Sequence, residues 1–177
     1  MIHEDHAPVT SVRFSPNGKY VLAWTLDSAV RLWSYVDGRC VKTYQGHTNT
    51  KFSIGGAFGI YFKYGGSAAS TEPPSALVVS GSEDGSLWIW DVGTKNVLQK
   101  VDKAHSGVVF GTDAYSTSRL IVSGGEDGVV KIWQADESSD ERLDEHGEMD
   151  VDKGGQTYRD GSRNMQEGET MDLDDPV

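Results

Sequence analysis

One segment occurs three times in this chain, and it constrains the fold more than any other feature. Val78-Val-Ser-Gly-Ser-Glu-Asp-Gly-Ser-Leu-Trp-Ile-Trp90 returns 43 residues later as Ile121-Val-Ser-Gly-Gly-Glu-Asp-Gly-Val-Val-Lys-Ile-Trp133, with 8 of 13 positions identical. Val21-Leu-Ala-Trp-Thr-Leu-Asp-Ser-Ala-Val-Arg-Leu-Trp33 is a more divergent copy. In all three an aspartate stands six residues before a tryptophan: Asp27 and Trp33, Asp84 and Trp90, Asp127 and Trp133. Self-similarity of this kind means that one supersecondary unit is built repeatedly and buries its faces against its neighbours.

Within each copy the local chemistry is that of short strands and tight turns. The first copy predicts strands at 9–14, 20–25, 30–35 and 40–44. Between them lie Ser15-Pro-Asn-Gly-Lys19, Leu26-Asp-Ser-Ala29 and Val36-Asp-Gly-Arg39, where Pro presets φ and Gly permits a positive one. The second copy predicts strands at 52–58, 77–80, 86–90 and 96–101, and the third at 108–113, 120–123 and 129–133. A unit of roughly 40 to 45 residues holding four strands is the size of one propeller blade. The expectation is therefore an all-β chain, a propeller fragment of three four-stranded antiparallel blades at about 8–46, 47–104 and 105–135, the last lacking its outer strand. A Gly-, Ser- and Pro-rich insertion at 59–75 makes one connection longer than the usual hairpin loop and reads as a surface loop.

Charge separates the chain into two parts. Residues 136–177 carry 15 acidic and 4 basic side chains, which equals the net charge of −11, so residues 1–135 are balanced. The tail is poor in aliphatic residues and is expected to be disordered, because it cannot bury enough surface to offset chain entropy. A balanced body with an acidic tail disfavours nucleic acid, whose phosphates would repel the tail. No apolar run approaches the roughly 20 residues of a membrane helix, and the opening residues lack a secretion pattern, so an intracellular protein is expected. The single cysteine, Cys40, permits no internal disulfide. Five scattered histidines show no zinc-ligand spacing, and His3 and His6 read as solvated terminal residues, so no metal or cofactor is expected.

His47, Ser80, Asp84 and Trp90 recur as His105, Ser123, Asp127 and Trp133. A Ser, a His and an Asp together invite comparison with a nucleophilic triad, but a catalytic group is wanted once, whereas a structural network is wanted in every unit. Both serines also fall within predicted strands and not on an exposed turn. Glu83-Asp84 and Glu126-Asp127 likewise precede glycine, where Asp-Gly is preferred in a hairpin turn for backbone reasons. The first copy has Ala23 in the serine place, so it is expected to hold together through packing of Val12, Phe14, Leu22 and Leu32.

These spacings resemble WD repeats. The resemblance implies a hydrogen-bonded chain inside each blade, from indole to hydroxyl to imidazole to carboxylate. Phe14-Ser-Pro-Asn-Gly-Lys-Tyr20, Lys42-Thr-Tyr44, Gly46-His47 and Val79-Ser-Gly-Ser-Glu-Asp84 are similar, more closely, to the last three blades of the seven-bladed WD scaffold of Set1/COMPASS and MLL histone lysine methyltransferase complexes. That resemblance implies a partner-binding cleft at Asn17, Tyr20, Leu32, Lys42 and Gln99, which receives an acidic and aliphatic segment of another subunit. It also implies a central pocket that clamps an arginine of a histone tail or a methyltransferase peptide between aromatics, but Gly55 stands where one clamping phenylalanine is expected, which removes a stacking face.

The functional expectation is a nuclear, non-catalytic protein-protein scaffold in such a complex, with no nucleic acid or membrane partner. The alternative is a general WD adaptor in ubiquitin ligation, RNA processing or signalling. Three blades leave two faces open, so the chain is expected to need further blades or another chain to close the propeller.

Overall fold

In a computed structural model, residues 7–61, 75–115, 120–135 and 158–160 are described. Three antiparallel sheets fan out in chain order. Blade 1 is β1 (Val9–Phe14), β2 (Tyr20–Thr25), β3 (Ala29–Ser34) and β4 (Arg39–Gln45). Blade 2 is β5 (Gly56–Tyr61), β6 (Ser75–Ser80), β7 (Leu87–Asp91) and β8 (Val97–Val101). Blade 3 is β9 (Val109–Ala114), β10 (Leu120–Gly125) and β11 (Val130–Ala135), with β12 (Tyr158–Asp160) on its outer edge. The all-β, three-bladed expectation holds, and the repeat of blade 3 itself supplies three strands.

Two features depart from the sequence reading. β12 comes from the acidic tail and pairs with β11 in the register Trp133↔Asp160, Gln134↔Arg159 and Ala135↔Tyr158. The outer place of blade 3 is thus taken by a strand remote in sequence, and the tail is not structureless at these three residues. An open sheet edge presents unpaired N–H and C=O groups, so a short segment of any composition that reaches it gains hydrogen bonds. The rest of the tail lies outside the described residues, as do His3 and His6. The insertion is also shorter than 59–75, because β5 runs on through Gly59↔Leu77, Ile60↔Ala76 and Tyr61↔Ser75. Residues 62–74 lie outside the described residues.

The faces of the blades follow the two-residue period of a strand. On blade 1, Leu22, Trp24, Val30, Leu32 and Tyr44 are buried in one core with Val78 and Trp90 of blade 2. On the other face of blade 2, Leu77, Val79, Leu87 and Ile89 form a second core with Ile121 and Trp133 of blade 3. Blades 2 and 3 therefore turn their repeat tryptophans, Trp90 and Trp133, toward the blade before. Of the four residues expected to pack blade 1, Leu22 and Leu32 are buried, whereas Val12 and Phe14 are 54% and 71% exposed. The reason is register: Phe14 pairs with Val21 and Val12 with Ala23, which puts both on the face that has no preceding blade. Among the described residues, no helix is long and apolar enough to cross a membrane.

Candidate functional site: a cleft between blades 1 and 2

The expected indole-to-carboxylate chain is complete in blade 3. The Trp133 indole N–H donates to Ser123 Oγ at 2.8 Å, Ser123 Oγ meets His105 Nε2 at 2.8 Å, and His105 Nδ1 meets Asp127 Oδ1 at 2.8 Å. A carboxylate only accepts, so Nδ1 carries the proton and Nε2 takes the serine hydroxyl. The His105 bond is the main reason the Asp127 carboxyl lies low, at about 2, with backbone N–H groups of Val129 and Ser106 adding to it. Ser123 is buried and its oxygen is shared between indole and imidazole, so no hydroxyl is offered to a substrate.

In blade 2 the same four residues do not join. Trp90 donates instead to Gln45 O at 3.1 Å, and Ser80 Oγ receives the indole of Trp24 from blade 1 at 3.0 Å while donating to Gly81 O. Asp84 turns back onto Ser86, whose N–H donates to it at 3.0 Å. Both ring nitrogens of His47 are buried without a partner. Spacing accounts for the difference. His105 lies seven residues before Thr112, the cross-strand partner of Ser123, but His47 lies nine before Gly56, the partner of Ser80. The two additional residues displace the imidazole, and the hydroxyl goes to the neighbouring blade. Gly56 makes this exchange possible, since a Cβ there would lie 2.6 Å from the Trp24 ring. Burial then holds the His47 imidazole down to about 4, against the opposing pull of Asp84, Asp27 and Glu83.

Outside these networks, the seam between blades 1 and 2 opens into a cavity of about 430 Å³. Blade 1 supplies Ser15, Pro16, Asn17, Tyr20, Leu32, Val41 and Lys42 to its wall. Blade 2 supplies Phe58, Gly59, Ile60, Ala76 and Val92. Four of the five residues expected at a partner cleft, Asn17, Tyr20, Leu32 and Lys42, thus line one concavity. The fifth does not. Gln99 is registered against Ile89, whose side chain lies in the core shared with blade 3, so Gln99 stands on the opposite face of the sheet. Reading the outer strand without its pairing gave no means of assigning that face.

The turn before β2 is built to present Asn17. Ser15 Oγ donates to Asn17 Oδ1 at 2.7 Å, the Lys19 N–H reaches the same oxygen at 3.1 Å, and Tyr20 N donates to Ser15 Oγ at 2.9 Å. Lys42 is not a freely solvated charge. Its ammonium donates to the carbonyls of Val92, at 2.8 Å, and Gly93, so it bolts β4 to the turn after β7. The Tyr44 hydroxyl donates to the same Val92 carbonyl at 3.2 Å, and burial in this seam pushes its phenol well above the usual range. The cleft therefore has an apolar floor, an amide at one rim and a fixed positive charge at the other. The sequence reading missed Ile60 and Ala76 because they fall at the boundary of the presumed insertion. The alternation Phe58, Ile60 facing Ala76, Val78 was the available signal.

The central arginine pocket fares less well. Phe52 and Phe110 make an edge-to-face pair with centroids 5.9 Å apart, but the chain's own Lys51 ammonium stands 5.0 Å over the Phe52 ring. A side chain at Gly55 would meet the Ser11 hydroxyl at 3.0 Å. Among the described residues, no group of His, Cys, Asp or Glu could hold a metal ion.

Comparison with known proteins agrees with this architecture. Over 95 residues the chain is 32% identical to COMPASS component SWD3 of Saccharomyces cerevisiae, covering 54% of this chain and 29% of that protein. It is 31% identical to WD repeat-containing protein 26 homolog of Arabidopsis thaliana over 107 residues, covering 60% of this chain and 16% of the relative. It is 33% identical to WD repeat-containing protein 82 of Drosophila melanogaster over 100 residues, or 56% and 28% of the two chains. The chain thus spans less than a third of the length of each of these relatives. The WD domain, G-beta repeat family matches residues 1–34, 65–91 and 96–134, so the three fanned sheets are WD40 repeats, which serve as protein-interaction scaffolds, and the chain belongs to that family.

Proposed function

We propose that this chain is a non-catalytic scaffold whose cleft between blades 1 and 2 receives a segment of a partner protein, in a nuclear histone lysine methyltransferase complex of the COMPASS type. One observation carries the cleft: Asn17, Tyr20, Leu32 and Lys42, separated in sequence, line a single concavity with an apolar floor. Such a floor suits aliphatic side chains, and the Lys42 charge at its rim suits an acidic flank. The similarity to COMPASS component SWD3 supports the choice of complex. A second reading, a general WD adaptor for other assemblies, draws support from matches to relatives not named as COMPASS components and from Gln99 standing off the cleft.

The test is co-purification of a SET-domain subunit with the tagged chain. Ile60→Arg places a long cation on the half-buried cleft floor and is expected to abolish the association, with Tyr20→Ala weakening it at least tenfold. Retention of the SET-domain subunit by both variants, with circular dichroism unchanged, favours the adaptor reading.

A further inference from the structure

The cleft between blades 1 and 2 carries charge of one sign. Among the described residues that line it, Lys42 is the one charged side chain, and no carboxylate stands on its wall. The ammonium is held at the rim by the carbonyls of Val92 and Gly93, which are neutral partners, so it keeps its charge. At the Asn17 rim the same turn carries Lys19, an exposed second cation. Between the rims the floor is apolar, with Leu32, Phe58, Ile60 and Val92. Successive side chains of an extended segment point to opposite sides, so the segment that suits this site alternates aliphatic with acidic residues.

The chain itself contains one. Residues 161–177 lie outside the described residues and carry five acidic side chains against one basic, and within them Met171-Asp-Leu-Asp-Asp175 has the required alternation. The described structure fixes where this stretch sets out. β12 holds Asp160 opposite Trp133 on the outer edge of blade 3. Trp133 is the repeat equivalent of Trp90, and Val92 of the cleft lies two residues past Trp90, so Asp160 leaves the sheet roughly 7 Å from the level of the cleft. The seam of blades 1 and 2 is about two sheet spacings from blade 3, on the order of 20 Å. Eleven Cα steps from Asp160 to Met171 reach up to roughly 36 Å. Met149-Asp-Val-Asp152 alternates likewise, but its six steps to Tyr158 reach only about 20 Å at full extension and leave no slack.

We infer that residues 171–175 of this chain occupy the cleft when no partner segment is there, with the aliphatic pair Met171 and Leu173 on the floor and the carboxylates of Asp172 and Asp174 at the two cations. This gives the site a built-in competitor, a regulation that rests on the cleft being the partner site proposed above. A segment on so short a tether acts at an effective concentration on the order of millimolar, and a partner has to displace it.

Methyl NMR of the full chain tests this at the Ile60 methyl of the cleft floor, assigned through Ile60→Leu. The probe is the double variant Met171→Asp and Leu173→Asp, which alters no residue of the blades, and Val151→Asp is the control. The Ile60 signal is expected to move in the double variant, to return when a synthetic peptide of residues 167–177 is added, and to stay in place in Val151→Asp. Release of the competitor is expected to let the SET-domain subunit bind the double variant about fivefold more tightly. An Ile60 signal that the double variant leaves in place overturns the inference. So does one that follows Val151→Asp instead, or one that shifts only in step with a two-chain species, since the segment would then come from a second copy. Ile60→Arg separates this outcome from that of the proposed function. Loss of the SET-domain subunit in Ile60→Arg, with an unmoved signal in the double variant, removes the chain's own segment and keeps the partner in the cleft. A moved signal, with the subunit retained by Ile60→Arg, keeps the segment and removes the partner from the cleft.

Discussion

A buried imidazole with no partner at either nitrogen is an unusual expense, and His47 carries it because a serine that could have served it is engaged by Trp24. Its folded-state value of about 4 lies below the ordinary 6.5, so between those values the unfolded chain binds a proton that the folded chain refuses. Its contribution to stability is complete above pH 6.5 and declines as pH falls toward 4, by roughly 3 kcal/mol. Below that, Asp27, held to about 2 chiefly by Arg31, and Asp127 extend the loss toward pH 2. Urea midpoints are expected to fall steadily between pH 7 and pH 4.5, and His47→Leu to flatten that slope. The two serines offer a second comparison. Ser123→Ala strands both the Trp133 indole and the His105 ring and is expected to cost about 2 to 3 kcal/mol, whereas Ser80→Ala strands the Trp24 indole and costs about 1 to 2. Equal losses in denaturant unfolding would contradict the division of partners described above.

At the scale of the strand, the sequence was most legible where a strand is half-buried and turns are chemically marked. β1 to β4 lie within a residue of their expected bounds because Pro16, Gly18 and Gly38 punctuate them, the two glycines at φ of 66° and 63°. It was least legible where pairing partners are remote. Nothing in Tyr158-Arg-Asp160 marks a strand, since β12 exists through the edge of β11 and not through its own propensity. Deletion of 136–177 removes it, and faster amide hydrogen exchange is then expected in β11, with β6 and β7 unchanged. Similarly, nothing in the sequence around Lys42 marks the partners of its ammonium, which closes the seam on Val92 and Gly93. Lys42→Met keeps the stem and removes the bolt, so a loss of about 1 to 3 kcal/mol is expected.

At the scale of the molecule, blade 2 is, among the described residues, the only one of the three blades that contributes to both cores. Global unfolding is required to expose β6 and β7, while blades 1 and 3 each keep an open face. Native-state hydrogen exchange is accordingly expected to show the highest protection in β6 and β7, where Val78, Val79, Ile89 and Trp90 are fully buried, and lower protection in β1 and β11. Protection highest in blade 1 or blade 3 would mean that those faces are covered more completely than the blade 2 seams.

Repetition of Asp and Trp at a constant interval, turn residues and two-residue alternation were enough to establish three antiparallel blades, because each of these is a local property of consecutive residues. The naming of Asn17, Tyr20, Leu32 and Lys42 for a cleft rests on the resemblance to WD scaffolds, and local pattern accounts only for their places in and beside a marked turn and on paired strands of one blade. Which face Gln99 occupies, which hydroxyl each indole finds and what covers the edge of β11 depended on groups ten or more residues apart. A hydrogen bond is won by whichever donor the packed blades bring within reach, and no local pattern contains that distance.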